Sequence, residues 1–270
     1  MDITLPARAF VEARRSAAGL PDYPGPLPVD LEQAYAIQDA AITLWLDEKA
    51  PGEGSNVDGP AGWKAGLIAP DRRTPGGDER LIGPIWADSV APSGADPVSM
   101  PVYADGFAAV EAEFVIRLDA AAEPATWTAD DAAALPQTIF AGIEIASSPL
   151  KTINDLGPAV TASDFGNNAG LVIGPEIPAG TEPATIAVST EIDGRRVGDA
   201  TGAAVPGGIH TSLAQTLTIL GRRGRSVPGG TYFATGAVTG VHVAAAGQSA
   251  VIRFGDLPEL RCLLQPAAPR

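Results

Sequence analysis

Three glutamates and one lysine are the residues of this sequence whose types and spacing could do chemistry. Glu111 and Glu113 stand two apart in Val110-Glu111-Ala112-Glu113-Phe114, and side chains two apart in a strand share a face. Carboxylates that close repel, and one keeps its proton unless a cation lies between them. The flanking residues Val110, Phe114, Val115 and Ile116 are apolar, a setting in which an unpaired carboxylate is costly. A metal ion removes both problems, and hard oxygen donors without His or Cys nearby favour Mg²⁺, Mn²⁺ or Ca²⁺ over zinc. Glu144 repeats the anomaly as the one charge in the apolar run 139–146. The competing readings are a solvated strand face for Glu111 and Glu113, and an arginine-paired or water-facing acid for Glu144. Lys64, in Gly62-Trp63-Lys64-Ala65-Gly66-Leu67, is either a surface lysine or a partly desolvated ammonium able to stabilise an anion or shuttle a proton.

The elements that must position these groups fall into two regimes. Residues 7–18 read as a helix, and the Pro-rich stretch 21–28 separates it from a second one. There Asp30 and Gln33 form a capping-box pattern, followed by Leu31, Ala34, Tyr35, Gln38, Ala41 and Trp45 at helical spacing. Residues 50–61 are a loop by composition. The polar, Gly-rich stretch 70–80 lies between two short apolar segments, 63–68 and 81–86, as either a mobile active-site lid or a plain surface loop. From residue 110 onward, strands are expected at 110–118, 138–146, 170–173, 185–192, 240–245, 250–254 and 259–264. Asp193-Gly194 is a type I′ hairpin signal. One helix interrupts this half, with Ser212 and Gln215 as its capping box, Leu213, Leu217 and Leu220 as its stripe, and Arg222-Arg223-Gly224 at its end.

Composition bounds the function. With 270 residues, 31 Gly and 25 Pro, the chain favours many turns and short strands over a helix bundle. A net charge of −14 without a Lys/Arg cluster argues against nucleic acid. No apolar run approaches the length of a membrane span. Cys262 is the only cysteine and reads as a small buried hydrophobe on a late strand, in a reducing compartment. A cytoplasmic protein is expected.

The order of these pieces resembles the fumarylacetoacetate hydrolase superfamily, in its branch of 2-hydroxypenta-2,4-dienoate (2-oxopent-4-enoate) hydratases and 4-oxalocrotonate decarboxylases. The resemblance runs from about residue 31 to 256. It rests on Gly62-Trp63-Lys64-Ala65-Gly66-Leu67, Gly83-Pro84-Ile85, Val110-Glu111-Ala112-Glu113-Phe114, Ile143-Glu144-Ile145, Asn167-Asn168-Ala169 with Gly174, and Thr235-Gly236-Ala237-Val238-Thr239-Gly240. It implies an α+β fold, a mixed β-sandwich roll (residues 61–270) behind an N-terminal helical portion (1–60), in a homo-oligomer or together with a decarboxylase partner. It implies Glu111, Glu113 and Glu144 as ligands of Mg²⁺ or Mn²⁺, with Lys64 and Asp88 catalytic. The substrate would be a 2-oxo acid of aromatic catabolism, with Asn168 of the shared motif at its site; by their positions in the sequence, Arg72, Arg73 and Arg80 around the 70–80 stretch could receive a distal carboxylate, and His210, just before the Ser212 helix, is a candidate substrate contact. The implied activity is a hydro-lyase hydrating a 2-hydroxy-2,4-dienoate or 2-oxo-4-enoate through a metal-bound enolate. Decarboxylation or acylpyruvate C–C hydrolysis would use the same electron sink, and a degenerate metal-binding accessory subunit is the reading of another class. The chain departs from the family's pattern at Ser147-Ser148, where an Asp-Ser pair is common, and at Asn167-Asn168-Ala169, where the first residue is usually Asp.

Overall fold

The computed structural model describes residues 2–47 and 59–270, so most of the loop expected at 50–61 lies outside the described residues. Two helices come first, α1 (Thr4–Ser16) and α2 (Leu31–Asp47). The Asp30 carboxylate accepts the Gln33 N–H at 2.8 Å, as the capping pattern requires, and the Gln33 side chain returns to the Val29 N–H at 2.9 Å. The strands are β1 (Gly62–Leu67), β2 (Arg80–Ile85), β3 (Val90–Pro92), β4 (Val98–Val102), β5 (Phe107–Leu118), β6 (Gln137–Ser148), β7 (Asn168–Glu176), β8 (Ala187–Ile192), β9 (Arg195–Thr201), β10 (Tyr232–Ala234), β11 (His242–Val243), β12 (Ser249–Phe254) and β13 (Leu260–Pro266). Helices α3 (Ala129–Ala133), α4 (Pro158–Ser163) and α5 (Ile209–Arg222) lie between them.

The strands form two mixed sheets. The larger runs β2-β1-β10-β5-β6-β7-β3, with β11 added to β5; the smaller runs β4-β13-β12-β8-β9. Alternation along β5 sorts its side chains. Val110, Ala112, Phe114 and Ile116 join the main core with Ile252, Phe254 and Leu260 of the smaller sheet, and Phe114 meets Phe254 edge-on at 5.1 Å. The other face turns inward on its own sheet: Ile85 of β2, Val115 of β5, Leu171 of β7 and Ala234 of β10 form one cluster, and β2 touches β7. The large sheet therefore curls into a roll with its odd-numbered β5 side chains inside. The expected α+β sandwich roll with a helical preface is the observed architecture. Helices α1 and α2 share its main core through Ala7, Val11, Ala34, Ile37 and Trp45.

Asp193 and Gly194 both have positive φ, 48° and 75°, the backbone a type I′ turn demands, and they join β8 to β9. Buried Cys262 sits on β13, where burial pushes its thiol up to about 12. Two expectations need correction. Helix α5 begins at Ile209, one turn before the supposed Ser212/Gln215 cap, because Gly207 and Gly208 (φ 74° and 82°) release the chain into the helix there; Ser212 is buried inside it. The strand expected at 240–245 shrinks to His242–Val243, and α3 and α4 join α5 as helices of this half.

Candidate metal centre

The register of the roll builds the centre. β5 and β6 pair antiparallel over their full length, placing Glu111 directly opposite Glu144 and Glu113 opposite Gly142. All three carboxylates are buried on the inner face, and one oxygen from each lies within 4.8 Å of the others. Gly142 keeps the space beside Glu113 open, since a Cβ there would meet the Val115 side chain at 2.5 Å. Lys64 on β1 aligns with Ala234 of β10, which aligns with Val115, so its side chain enters the same interior. Its Nζ lies 3.3 Å from Glu144 Oε1 and donates to Asn167 Oδ1 at 3.2 Å.

A loop after α4 closes the centre. Phe165, Gly166 and Asn167 are consecutive residues with positive φ (51°, 61° and 55°), a conformation rare outside glycine. They pack against Gly83, where a Cβ would meet the Phe165 carbonyl at 2.0 Å. This bend delivers two amides: Asn167 to Lys64, and Asn168, whose Nδ2 donates to Glu144 Oε1 at 2.9 Å. Arg14 of α1 locks it. The buried guanidinium pairs with Asp164 at 2.5 Å and donates to the Asn168 carbonyl at 3.0 Å and the Ser147 carbonyl at 3.2 Å. Ser148 Oγ donates to the same Asp164 at 2.6 Å. On the other side the Gly236 N–H, just past β10, donates to Glu113 Oε2 at 2.7 Å.

Charge is left uncompensated inside. Burial first, then the Glu144 charge, raises the Glu111 carboxyl to about 7, and the same causes with Glu111 added hold Glu113 well above the usual range. Burial alone would lower the Lys64 ammonium, but Glu144, Glu111 and Glu113 together raise it, so it stays protonated and acts as a donor. Glu113 Oε1, Glu144 Oε2 and Asn168 Oδ1 are buried with no hydrogen-bond partner. Unsatisfied oxygens this close, in an all-oxygen set, fit a hard divalent cation.

A cleft of about 620 Å³ opens over the centre, lined among others by Lys64, Arg72, Arg80, Glu111, Asn167 and Gly236. Of the other residues singled out in the sequence, Arg72 stands at the cleft rim and holds the Asn154 and Asp155 carbonyls at 2.9 and 3.4 Å. Arg73 turns to the Ile68 carbonyl and to Glu79 and does not line the cleft. Asp88 pairs with Arg270 at 2.9 Å in a separate depression beside Trp45 and Trp86. His210 is half-buried in the first turn of α5, and neither it nor His242 lines the cleft. Residue types alone do not bring out Arg14 or Asp164, and Asn167 and Gly236 stand within quoted motifs that give them no role. Arg14 looks like an ordinary helix-end cation, and Asn167 shares its motif with Asn168.

The curled sheet and the flanking second sheet make up a fold that this chain shares with solved enzyme structures. No family model and no curated protein matches the chain. Among solved structures it is similar to the 4-oxalocrotonate decarboxylase from Pseudomonas putida G7 complexed with magnesium and adipate, with TM-score 0.78 and 19% identity over 97% of each chain. The fumarylpyruvate hydrolase from Pseudomonas aeruginosa, in complex with Mn²⁺ and pyruvate, follows with TM-score 0.58 and 17% identity over 80% of this chain and 94% of the other. At these identities the likeness is one of fold.

Proposed function

We propose that the chain is a divalent-metal-dependent enzyme of the fumarylacetoacetate hydrolase superfamily, a lyase that hydrates a 2-oxo-4-enoate. One observation carries the reading: three buried carboxylates, two of them with an unpaired oxygen, meet beside the Lys64 ammonium, and Glu111 lines an open cleft. Glu111, Glu113 and Glu144 would hold Mg²⁺ or Mn²⁺, which supplies Lewis-acid polarisation of a 2-oxo acid's carbonyl oxygen. Lys64 is placed to neutralise negative charge developing on that oxygen or to return a proton to carbon. Asn167 fixes the Lys64 ammonium, Asn168 orients Glu144 and the Gly236 amide orients Glu113. The apolar walls Ala65, Leu81 and Val205 exclude water around the reacting carbons.

Decarboxylation of a vinylogous oxo acid is the second reading, favoured by the likeness in fold to a 4-oxalocrotonate decarboxylase over nearly the whole chain. C–C hydrolysis loses support because neither histidine lines the cleft to serve as its base. The test offers 2-hydroxypenta-2,4-dienoate and 2-oxohex-3-enedioate to the Mg²⁺- and Mn²⁺-loaded protein. Loss of dienol absorbance with hydrated product identifies the hydratase, and CO₂ release the decarboxylase; turnover of neither sinks both. The reading includes self-association, which sedimentation would show directly.

Cation uptake should depend on pH with a definite sign. Metal binding must displace protons from carboxyls that the fold raises from the ordinary 4.5, to about 7 at Glu111 and well above the usual range at Glu113. A raised carboxyl stabilises the metal-free fold below pH 4.5, and that contribution is lost as pH rises through the folded value. The metal-free melting temperature should therefore fall across this window while Mg²⁺ affinity climbs. Calorimetry in buffers of different ionisation enthalpy should find more protons released per cation at pH 6 than at pH 8. Equal release at both would refute it.

A further inference from the structure

The amide that holds Lys64 has its own orientation dictated from further out. An ammonium only donates, so Asn167 turns its Oδ1 toward Nζ at 3.2 Å. The other end of the same amide, Nδ2, then donates to Asn154 Oδ1 at 3.1 Å. Reversing either amide, or both, would set two donors face to face, at Lys64 or between the asparagines. The Thr161 hydroxyl also approaches Asn154 Oδ1, at 3.4 Å, but its one proton has a nearer acceptor in the Ile153 carbonyl at 3.1 Å. The Asn167 amide is therefore the closer partner of that oxygen.

Asn154 lies in the turn 149–157 between β6 and α4, exposed and lining the cleft. That turn is tied back to the strand pair that carries Lys64. Arg72, in the connection between β1 and β2, donates from Nη1 to the Asn154 carbonyl at 2.9 Å and to the Asp155 carbonyl at 3.4 Å. The contacts run in a ring from Lys64 through Asn167, Asn154 and Arg72 to the connection that follows β1. On the far side of the ammonium stands Glu144, 3.3 Å away, an acid that a bound cation also needs. We propose that Asn154 is a positioning residue for Lys64. By accepting the Asn167 Nδ2 proton it fixes the Asn167 oxygen on the ammonium, which keeps Nζ from collapsing onto Glu144 and leaves it directed at a bound 2-oxo acid. The assignment rests on the reading of Lys64 as the group that answers negative charge on the substrate. An aspartate at 167 could accept from Lys64 but would have no N–H to give, so the hold reaches Asn154 because residue 167 is an amide.

The test follows oxalate binding to the Mg²⁺-saturated protein by calorimetry, because oxalate places a negative oxygen beside the metal and requires no turnover. Asn154→Leu, close in size but without an acceptor, should weaken oxalate about tenfold, the effect of one misplaced hydrogen-bonding group. Asn154→Asp keeps the acceptor and should recover most of that loss, against the sign of its added charge. In an Asn167→Ala background, Asn154→Leu should change the affinity by less than about twofold, since the group it acts through is gone. A turn with a merely structural role would instead show the same loss in both backgrounds. Position 154 is exposed, so the variants should melt close to their parent proteins. Equal oxalate affinity in wild type and Asn154→Leu, or a loss that persists in the Asn167→Ala background, overturns the assignment and leaves the metal site standing. If oxalate does not bind wild type in a metal-dependent way, the 2-oxo-acid reading itself fails and takes the assignment with it.

Discussion

Glu113→Gln is expected to abolish the stabilisation of this protein by Mg²⁺ or Mn²⁺ while making the metal-free protein more stable. The carboxyl is fully buried, one oxygen takes the Gly236 N–H and the other has no partner. A Gln oxygen can keep the Gly236 bond, so the backbone has no reason to move. What changes is the ionisable group: a buried carboxyl that the metal-free fold holds protonated at a cost in stability is gone, and with it a ligand of the cation. For wild type, a cation at a hundred times its dissociation constant adds about 2.7 kcal/mol, an upward shift in melting temperature of several degrees. Oxalate, a chelating dianion, should add to that shift only when metal is present, and to neither form of the variant. Turnover of any oxo-acid substrate should fall at least about a thousandfold in Glu113→Gln. A wild type indifferent to metal, with or without oxalate, would make the acids structural and end the enzymatic reading.

Arg14→Met should cost about 3–5 kcal/mol, the usual penalty for stripping one partner from a buried ion pair. Arg14 lies far from the cleft in sequence but holds Asp164, the Asn168 carbonyl and the Ser147 carbonyl together. Its removal leaves Asp164 buried against Ser148 alone and frees the bend that carries Asn167 and Asn168. Denaturant melts should show the loss as a lower midpoint. The double variant Arg14→Met/Asp164→Leu should recover much of it, because an apolar pair leaves no buried charge. A change below about 1 kcal/mol in Arg14→Met would mean that solvent reaches Asp164 readily and that the pair does not hold the loop.

The long strands and the acids were legible because their signal is local. In β5 and β6, β-branched and aromatic residues surround charges that have no place in an apolar run, and the two-residue period alone set Glu111 and Glu113 on one face. The short strands carried no such signal. β3 and β4 contain Pro92 and Pro101, and β10 is three residues long; each is a strand because of its partner. The start of α5 was misplaced because Ser212 and Gln215 match a cap pattern, while Gly207-Gly208 supplies the actual turn. Arg14 and Asp164 were invisible for a different reason. Their roles arise from contacts that bridge up to 154 positions of sequence, which no spacing rule can read.

The unbroken pairing of β5 with β6 also determines where this chain can change length. Glu111 faces Glu144 only while every residue between them and the strand ends keeps its count, since a slip of one position turns a side chain to the opposite face. A single inserted residue between Glu113 and Leu118, or between Gln137 and Gly142, would therefore send one acid toward the second sheet, into the layer filled by Phe114 and Phe254, unless it were absorbed as a bulge. The connection between those strands, residues 119–136, carries α3 and lies outside the register, so it can lengthen without moving any acid. Evolution and engineering alike are free to remodel this protein at its turns, but the spacing of its ligands is held by the sheet.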